Sequence, residues 1–492
     1  MTTTRSGPAA EPLVHRLAAF AAGARDRGLP ARLRAEAAER VLDCLGNSLL
    51  ARDESAPRAV LAVARDWGGT GPAHVIGSHE KLAVPAAALV NGTLAHAMDF
   101  DDSHMLSVLH PSAAVIPAAL AVAEATGACG PQLLDAVTVG TEVCIRLGIA
   151  GYDPDLGNSL FFERGQHATS ICGTLGAAVA TAMLLGADED TIGAALGIAA
   201  STGAGLLEAN RTGGTVKRVH CGWAAHAGVA AAQLARAGIT GPPTVLEGRF
   251  GFFRAWCGDR ARPEAVLDGL GERWETSEII VKPYPCNHFT HPGIDAALRL
   301  RALGVRGEDV VHGELRVPTA MHRTIGEPGP AKATPATGYA AAFSGPFTVA
   351  TALLGGGGLG VWFDDFTDAA AHDPARRTLA GLIRCVPDPA LDALFPTRLP
   401  AVLRVGTRDG QTHEIQVETS KGGPDAPLTT TEKERKFRLS AGTALPPRRA
   451  DAVLRAVRAL PEGGSAAGVL ALCSPEAAPE PSRPSPARPP AA

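Results

Sequence analysis

From about residue 12 to residue 256 one pattern recurs. Ala-rich segments whose apolar residues return at helical spacing are separated by short polar or glycine-containing links. This constrains the fold more than any other feature, because helices faced with Ala and Gly can approach closely, with few bulky side chains to hold them apart. "LRAEAAERVLDCLGNSLLA" places Val41, Leu42, Leu45 and Leu49 on one helical face. Further helices are predicted over 85–98, 113–125, 133–147, 168–185, 189–207 and 224–237, with no strand among them. This half reads as an all-α bundle.

The texture changes after Cys257. "SEIIVKPYP" and "HGELRVPT" are β-branched runs bounded by turn residues. "AVLRVGTRDGQTHEIQVET" reads as a hairpin turning at Asp409-Gly410. Helical pieces are expected at 294–303 and 346–354. "LTTTEKERKF" supplies a helix start, with Thr431 and Glu434 in capping-box register. A chain of 492 residues exceeds one core, and these signals divide it. The fold class is mainly α, with a large all-helical domain over 12–270 and a smaller α+β domain over 271–423. The chain returns to the helical domain over 424–473. The last stretch, 474–492, carries seven prolines and no apolar periodicity and is predicted to be disordered. No internal repeat is apparent.

Composition narrows the function classes. Hydrophobic residues make up 46% and charged residues 20%, with a net charge of −4, which offers no basic surface for nucleic acid and no polybasic membrane patch. The start, "MTTTRSGPAAEP", lacks the apolar region of a signal peptide. Runs such as "IGAALGIAASTGAGLL" are too short and polar-interrupted for a membrane span. Nine scattered cysteines without a CxxC pair point to a reduced, cytoplasmic protein. "GGGGLG" at 355–360 has the form of a dinucleotide fingerprint, but it follows a helical run instead of a strand. It reads as a flexible turn.

Titratable chemistry concentrates in "HAMDFDDSHMLSVLHP", residues 96–111, with three aspartates and three histidines. Three readings stay open on these residues alone: a solvated loop, a metal site using His96, Asp99, Asp101 and His104, and an acid/base site. Two more segments have a similar texture. "GGTVKRVHCGWAAHAG" carries Lys217, Arg218 and His220 into a helix, and "VKPYPCNHFTHPGID" carries Lys282, Tyr284, His288 and His291.

Together these segments resemble the MmgE/PrpD family, which includes 2-methylcitrate dehydratases, cis-aconitate decarboxylases and iminodisuccinate epimerases. "NGTLAHAMDFDDSH", "HPSAAVIPAALAVAE", "RGQHATSICGTLGAAVATAMLLGAD", "TVKRVHCGWAAHAG", "VLEGRFGFFRAW", "VKPYPCNHFTHPGID", "AAFSGPFTVATALL" and "PLTTTEKERKFR" follow the family's order across about 12–460. The resemblance implies a cytoplasmic homodimer whose α+β domain is a lid over the helical domain, with the active site between them and no organic cofactor or metal. It implies His110, His167 and Asp99 as catalytic residues, and Lys217, Lys282 and Ser103 as substrate-binding residues. The implied partner is a small polycarboxylate, and the implied activity is a lyase acting by dehydration or decarboxylation. The alternatives are an epimerase or isomerase of the same family, a metal-dependent hydrolase and a non-catalytic binding protein. One departure stands out: Phe347 occupies a position where the family often has tyrosine, and Ala342 one where it often has lysine.

Overall fold

A computed structural model describes residues 11–476, and the remainder of the expected disordered tail, 477–492, lies outside them. The first body is built from α1 (Leu13–Arg27), α2 (Ala31–Leu50), α3 (Ser55–Asp66), α4 (Val84–His96), α5 (Ser112–Thr126), α6 (Gly130–Ala150), α7 (Ala168–Leu184), α8 (Glu189–Thr202) and α9 (His220–Arg236). Helices α4, α5, α7 and α9 are buried along most of their length and form its centre. They cross where the sequence offers no side chain. A Cβ on Gly222 of α9 would lie 2.2 Å from the Leu89 carbonyl oxygen of α4, and one on Gly140 of α6 would lie 2.5 Å from the Gly176 carbonyl oxygen of α7. Among the described residues no helix is long and apolar enough to cross a membrane.

The expectation of a strand-free first half needs correction. Thr70–His74 pairs with Lys81–Leu82, and Tyr152–Asp153 with Asn158–Ser159, in ribbons too short to leave a periodic signal. Helix α8 also ends at Thr202, before its predicted limit at 207, because Gly203 is extended.

The second body centres on a four-stranded mixed sheet. Its strands are β1 (Val310–Val317), β2 (Ile383–Pro387), β3 (Ala401–Thr407) and β4 (Thr412–Val417), in the order β2-β1-β3-β4. β1 runs parallel to β2 and antiparallel to β3, and β3 and β4 form the predicted hairpin. Leu315, Leu403 and Val405 join Ile294 of α10 (His291–Ala302) and Phe347 and Val349 of α11 (Gly345–Leu354) in one buried core. A third helix, α12 (Pro374–Leu382), leads into β2. The opposite face carries charge pairs such as Arg316 with Glu414 and Arg384 with Glu314, the alternation a half-covered sheet requires.

Two expected local features take other forms. "SEIIVKPYP" is not a strand of this sheet but the segment that crosses between the bodies. The glycine run after α11 is a pinned turn, with the Gly357 N–H donating to Asp365 Oδ2 at 2.8 Å.

The chain then returns through α13 (Thr430–Ala441) and α14 (Pro447–Arg458), and Phe437, Ala441 and Val453 enter the first core. The capping box is Thr429 with Glu432 instead of Thr431 with Glu434. Glu434 is taken by Arg438 and Arg458. The outgoing and returning segments run together: the Val281 N–H donates to the Gly422 carbonyl at 3.0 Å. The first residues of the expected disordered tail are docked, since the Ser474 hydroxyl donates to the Ser78 carbonyl at 2.7 Å.

Candidate active site

The site grows from the end of α4. The helix stops at His96, and Asp99 takes the left-handed conformation at φ 52°, which reverses the chain and sends Asp101, Asp102 and Ser103 back along the helix ends. Val108 has the same φ, a costly conformation for a β-branched residue. It lies in the tight loop closed by the His104 N–H donating to the Leu109 carbonyl, and the next turn delivers His110.

His110 is fixed from behind. Its Nδ1 lies 2.7 Å from the Asp102 carbonyl oxygen, an acceptor only, so Nδ1 carries the proton and Nε2 is the free base. Its backbone N–H donates to Thr169 Oγ1 on α7. Nε2 lies 3.8 Å from Asp99 Oδ1, beyond hydrogen-bond range. Asp99 therefore does not orient His110 through a hydrogen bond; the Asp102 carbonyl does. Ser103 Oγ stands 3.4 Å from Nδ1, and the Ser103 backbone exchanges two hydrogen bonds with Ile280 of the crossing segment.

Asp99 instead sits between two ammonium groups from distant segments of the chain. Lys217, on the turn before α9, and Lys282, on the crossing segment, each place Nζ 3.6 Å from Asp99 Oδ1. Lys282 also donates to the Asp99 carbonyl at 2.7 Å. Burial would raise the Asp99 pKa, but Lys282, Lys217 and His110 outweigh it and hold the carboxyl well below its usual range. Burial likewise works against Lys217, while Asp99 and Asp101 keep its pKa raised.

His96, His167 and His220 are buried, and His110 and His288 are half-buried. Burial pushes His110 down to about 4, with Asp101 pulling the other way. It also pushes His220 to about 4 and His288 to about 3, and holds His167 well below the usual range. These imidazoles are neutral at pH 7. His167 caps α7 and shares a proton with His220, Nδ1 to Nδ1 at 3.0 Å. It does not touch His110; His96 stands between them, with ring centroids 5.3 Å from His110 and 5.7 Å from His167.

The structure thus gathers Asp99, Ser103, His110, Lys217 and Lys282 at one point and sets His167 behind His96. Its less expected members are Asp101 and Asp102. Asp101 Oδ2 accepts from His96 Nδ1 at 2.8 Å and lies 3.7 Å from His110 Nδ1. Asp102 accepts from the Ser112 hydroxyl and N–H at the start of α5, and burial raises its carboxyl to about 7. Both lie in the histidine-aspartate stretch itself, but nothing in the sequence says which way neighbouring loop residues point.

The four-residue metal set weighed from the sequence does not converge. His104 turns away, with Nδ1 on Ser107 Oγ and Nε2 3.7 Å from Glu275. Asp99, Asp101 and His110 do bring one ligand atom each within 4.8 Å of one another. Two lysines at 3.6 Å from Asp99 Oδ1 oppose a cation there, and the same charges favour an anion.

Comparison with known proteins identifies the family. The chain is 30% identical over 429 residues to the cis-aconitate decarboxylase-like protein oryM of Aspergillus oryzae, covering 84% of this chain and 86% of that protein. It is 35% identical over 242 residues to cis-aconitate decarboxylase of Aspergillus terreus, covering 47% and 48% of the two chains. It is 30% identical over 384 residues to the human cis-aconitate decarboxylase, covering 74% of each. The MmgE/PrpD N-terminal domain matches residues 15–264 and the MmgE/PrpD C-terminal domain residues 284–462. With both domains matched and relatives aligned over most of its length, this chain belongs to the MmgE/PrpD family.

Proposed function

We propose that the protein is a cofactor-independent lyase acting on a small di- or tricarboxylate. Decarboxylation is the favoured reaction, since the relatives above are named for it. The observation that carries this reading is the convergence of Lys217 and Lys282 on one carboxylate oxygen beside the free Nε2 of His110. A substrate carboxylate is the natural competitor of Asp99 for those ammonium groups. When the carbon–carbon bond to a departing carboxylate breaks, the electron pair passes toward a neighbouring carboxylate. Fixed cations stabilise that charge, each donor contributing roughly 3–4 kcal/mol in the transition state. The carbon then takes a proton as carbon dioxide leaves.

His110 is the proposed proton carrier, and His167, one ring further back, is its reserve. Substrate carboxylates beside His110 would raise its pKa from about 4 toward neutrality. The first domain supplies both histidines and Lys217, and the crossing segment supplies Lys282. An epimerase needs acid/base groups on opposite faces of its substrate, so two histidines in the same wall favour the lyase. Phe347 is fully buried in the lid core, so the hydroxyl many relatives carry at that position has no counterpart there.

A cytoplasmic homodimer belongs to the same proposal. The exposed Trp67 and Trp223, both against His226, are surface that a dimer contact would cover, and light scattering on the purified protein measures that state. The activity is tested by incubating the protein with cis-aconitate, citrate, 2-methylcitrate and iminodisuccinate in deuterated water. Carbon dioxide release with one deuterium in the product is expected from cis-aconitate. Interconversion of iminodisuccinate enantiomers without any lyase product would replace the lyase with the epimerase.

A further inference from the structure

Behind the cleft wall a small cavity lies between α2 and the loop that follows α4. Arg40, Asp43, Cys44 and Asn47 line it from α2, and Asp101 and Asp102 line it from the loop. It gives the centre of a water about 10 Å³ in which to sit, enough for about one molecule. Three of its lining residues carry buried atoms with no protein partner: Nε and Nη2 of Arg40, Oδ1 of Asn47 and Oδ1 of Asp101. Arg40 offers donors, while Asn47 Oδ1 and Asp101 Oδ1 are acceptors, and leaving each unmatched costs about 1–3 kcal/mol. All three residues are at least nine-tenths buried, at 5%, 1% and 3% exposure.

Each also has a second, satisfied end that ties it to the site. Arg40 Nη1 donates to the Thr276 carbonyl at the start of the crossing segment. Asn47 Nδ2 donates to the carbonyl of Phe100, the residue between Asp99 and Asp101. Asp101 Oδ2 holds His96.

We propose that one buried water in this cavity accepts from Arg40 and donates to Asn47 Oδ1 and Asp101 Oδ1, and that Asp101, so held, is the positioning residue for His110. The inference rests on His110 as the proton carrier of the proposed lyase. With one carboxylate oxygen on the water and the other on His96, Asp101 keeps its negative charge 3.7 Å from His110 Nδ1. When Nε2 takes a proton, the imidazolium keeps its Nδ1–H bond to the Asp102 carbonyl, and Asp101 stays ionised beside it. No proton passes through the water, which holds Asp101 in place. Asp101 acts through His110, and α2 acquires a role in the chemistry through Arg40 and Asn47.

The test combines a high-resolution crystal structure of the full chain, imidazole ¹⁵N NMR, and kinetics of Asp101→Asn and Asn47→Leu. A water within hydrogen-bond distance of Arg40, Asn47 and Asp101 is expected in the cavity. Wild-type spectra should show Nδ1 of His96 and of His110 carrying a proton, and Asp101→Asn should change the His96 signal. Asp101→Asn should lower kcat by about 10- to 100-fold with KM nearly unchanged, and Asn47→Leu should lower it by a smaller factor in the same way. A cavity without water, or a His96 spectrum untouched by Asp101→Asn, overturns the proposal whatever the substrate is. Lost melting temperature with unchanged kcat would make Asp101 merely structural and overturn it as well. If His110→Gln is inactive while Asp101→Asn is not, the lyase reading stands and this one fails.

Discussion

The two sides of the candidate site hold their side chains in different ways. On the helical side His110, His96, His167 and Asp101 are set by hydrogen bonds among α4, α7, α9 and the loop that follows α4. On the other side Lys282 reaches the same point from a segment tied down by backbone bonds to Ser103 and Gly422. Proton transfer needs a defined tautomer and direction, which a rigid helical body supplies. Neutralising a carboxylate needs only a charge at short range, which one lysine on an extended segment supplies. On the proposed function, the two tasks can therefore be broken separately.

The sharpest break is expected at His110. His110→Gln keeps size and some hydrogen bonding but cannot cycle a proton, so turnover should fall by about 10²–10⁴-fold while a dicarboxylate still binds. Turnover within tenfold of wild type would move proton transfer to His167. Next comes the opposite wall. Lys282→Ala should lower kcat/KM by about 10²–10³-fold, through both kcat and KM, because its charge meets the substrate and the transition state alike. A change confined to KM would make Lys282 a binding contact alone.

His110 also links stability to pH. His110 is held near 4 in the fold, against about 6.5 in an unfolded chain. As pH falls between those values, the unfolded chain takes up a proton that the fold refuses. Wild type therefore loses stability from this group over that window, by up to roughly 3 kcal/mol at its lower end. His110→Gln removes the effect, so its melting temperature should gain on wild type as the pH is lowered from about 6.5 to about 4. A pH-independent difference would mean that His110 is not buried and neutral.

Two glycines sharpen the contrast between the bodies. Gly222→Ala would drive a Cβ to 2.2 Å from the Leu89 carbonyl oxygen and should cost about 1–3 kcal/mol in chemical denaturation. Gly381→Ala, in α12 of the lid with open space around it, should instead stabilise by about 0.5–1 kcal/mol. Equal effects would deny that the helical body is the tighter of the two.

These contrasts also explain what could be read from the chain alone. The long helices were legible because each buries a face at a fixed period, and the β3–β4 hairpin because Asp409-Gly410 announces its turn. β2 was not, since "IRCVP" at the sheet edge is short and only partly buried. "SEIIVKPYP" misled because β-branched residues suit any extended backbone, including a crossing segment with one bridged residue. Within the site, Asp99, Ser103, His110, Lys217 and Lys282 were recognisable from their motifs. Asp101 and Asp102 were not separable from Asp99, because the positive φ at Asp99 decides which carboxylate faces the cleft and which face α2. His220 was legible as a residue but not as the partner of His167, fifty-three positions away.

The pairing of Val281 with Gly422 has a mechanical meaning. Both ends of the second body leave the helical body side by side, so a lid formed by it would hinge at this pair, beside the packing of Trp362 and Phe363 on Phe100. Lys282 is the residue next to that hinge. When a hinged plate swings, points near its pin travel through a short arc while the far rim travels furthest. The cleft would then open like a clamshell at the rim opposite the hinge, with Lys282 staying near Asp99 throughout. An incoming polycarboxylate would meet both lysines before such a lid shuts, and its capture would precede the exclusion of water.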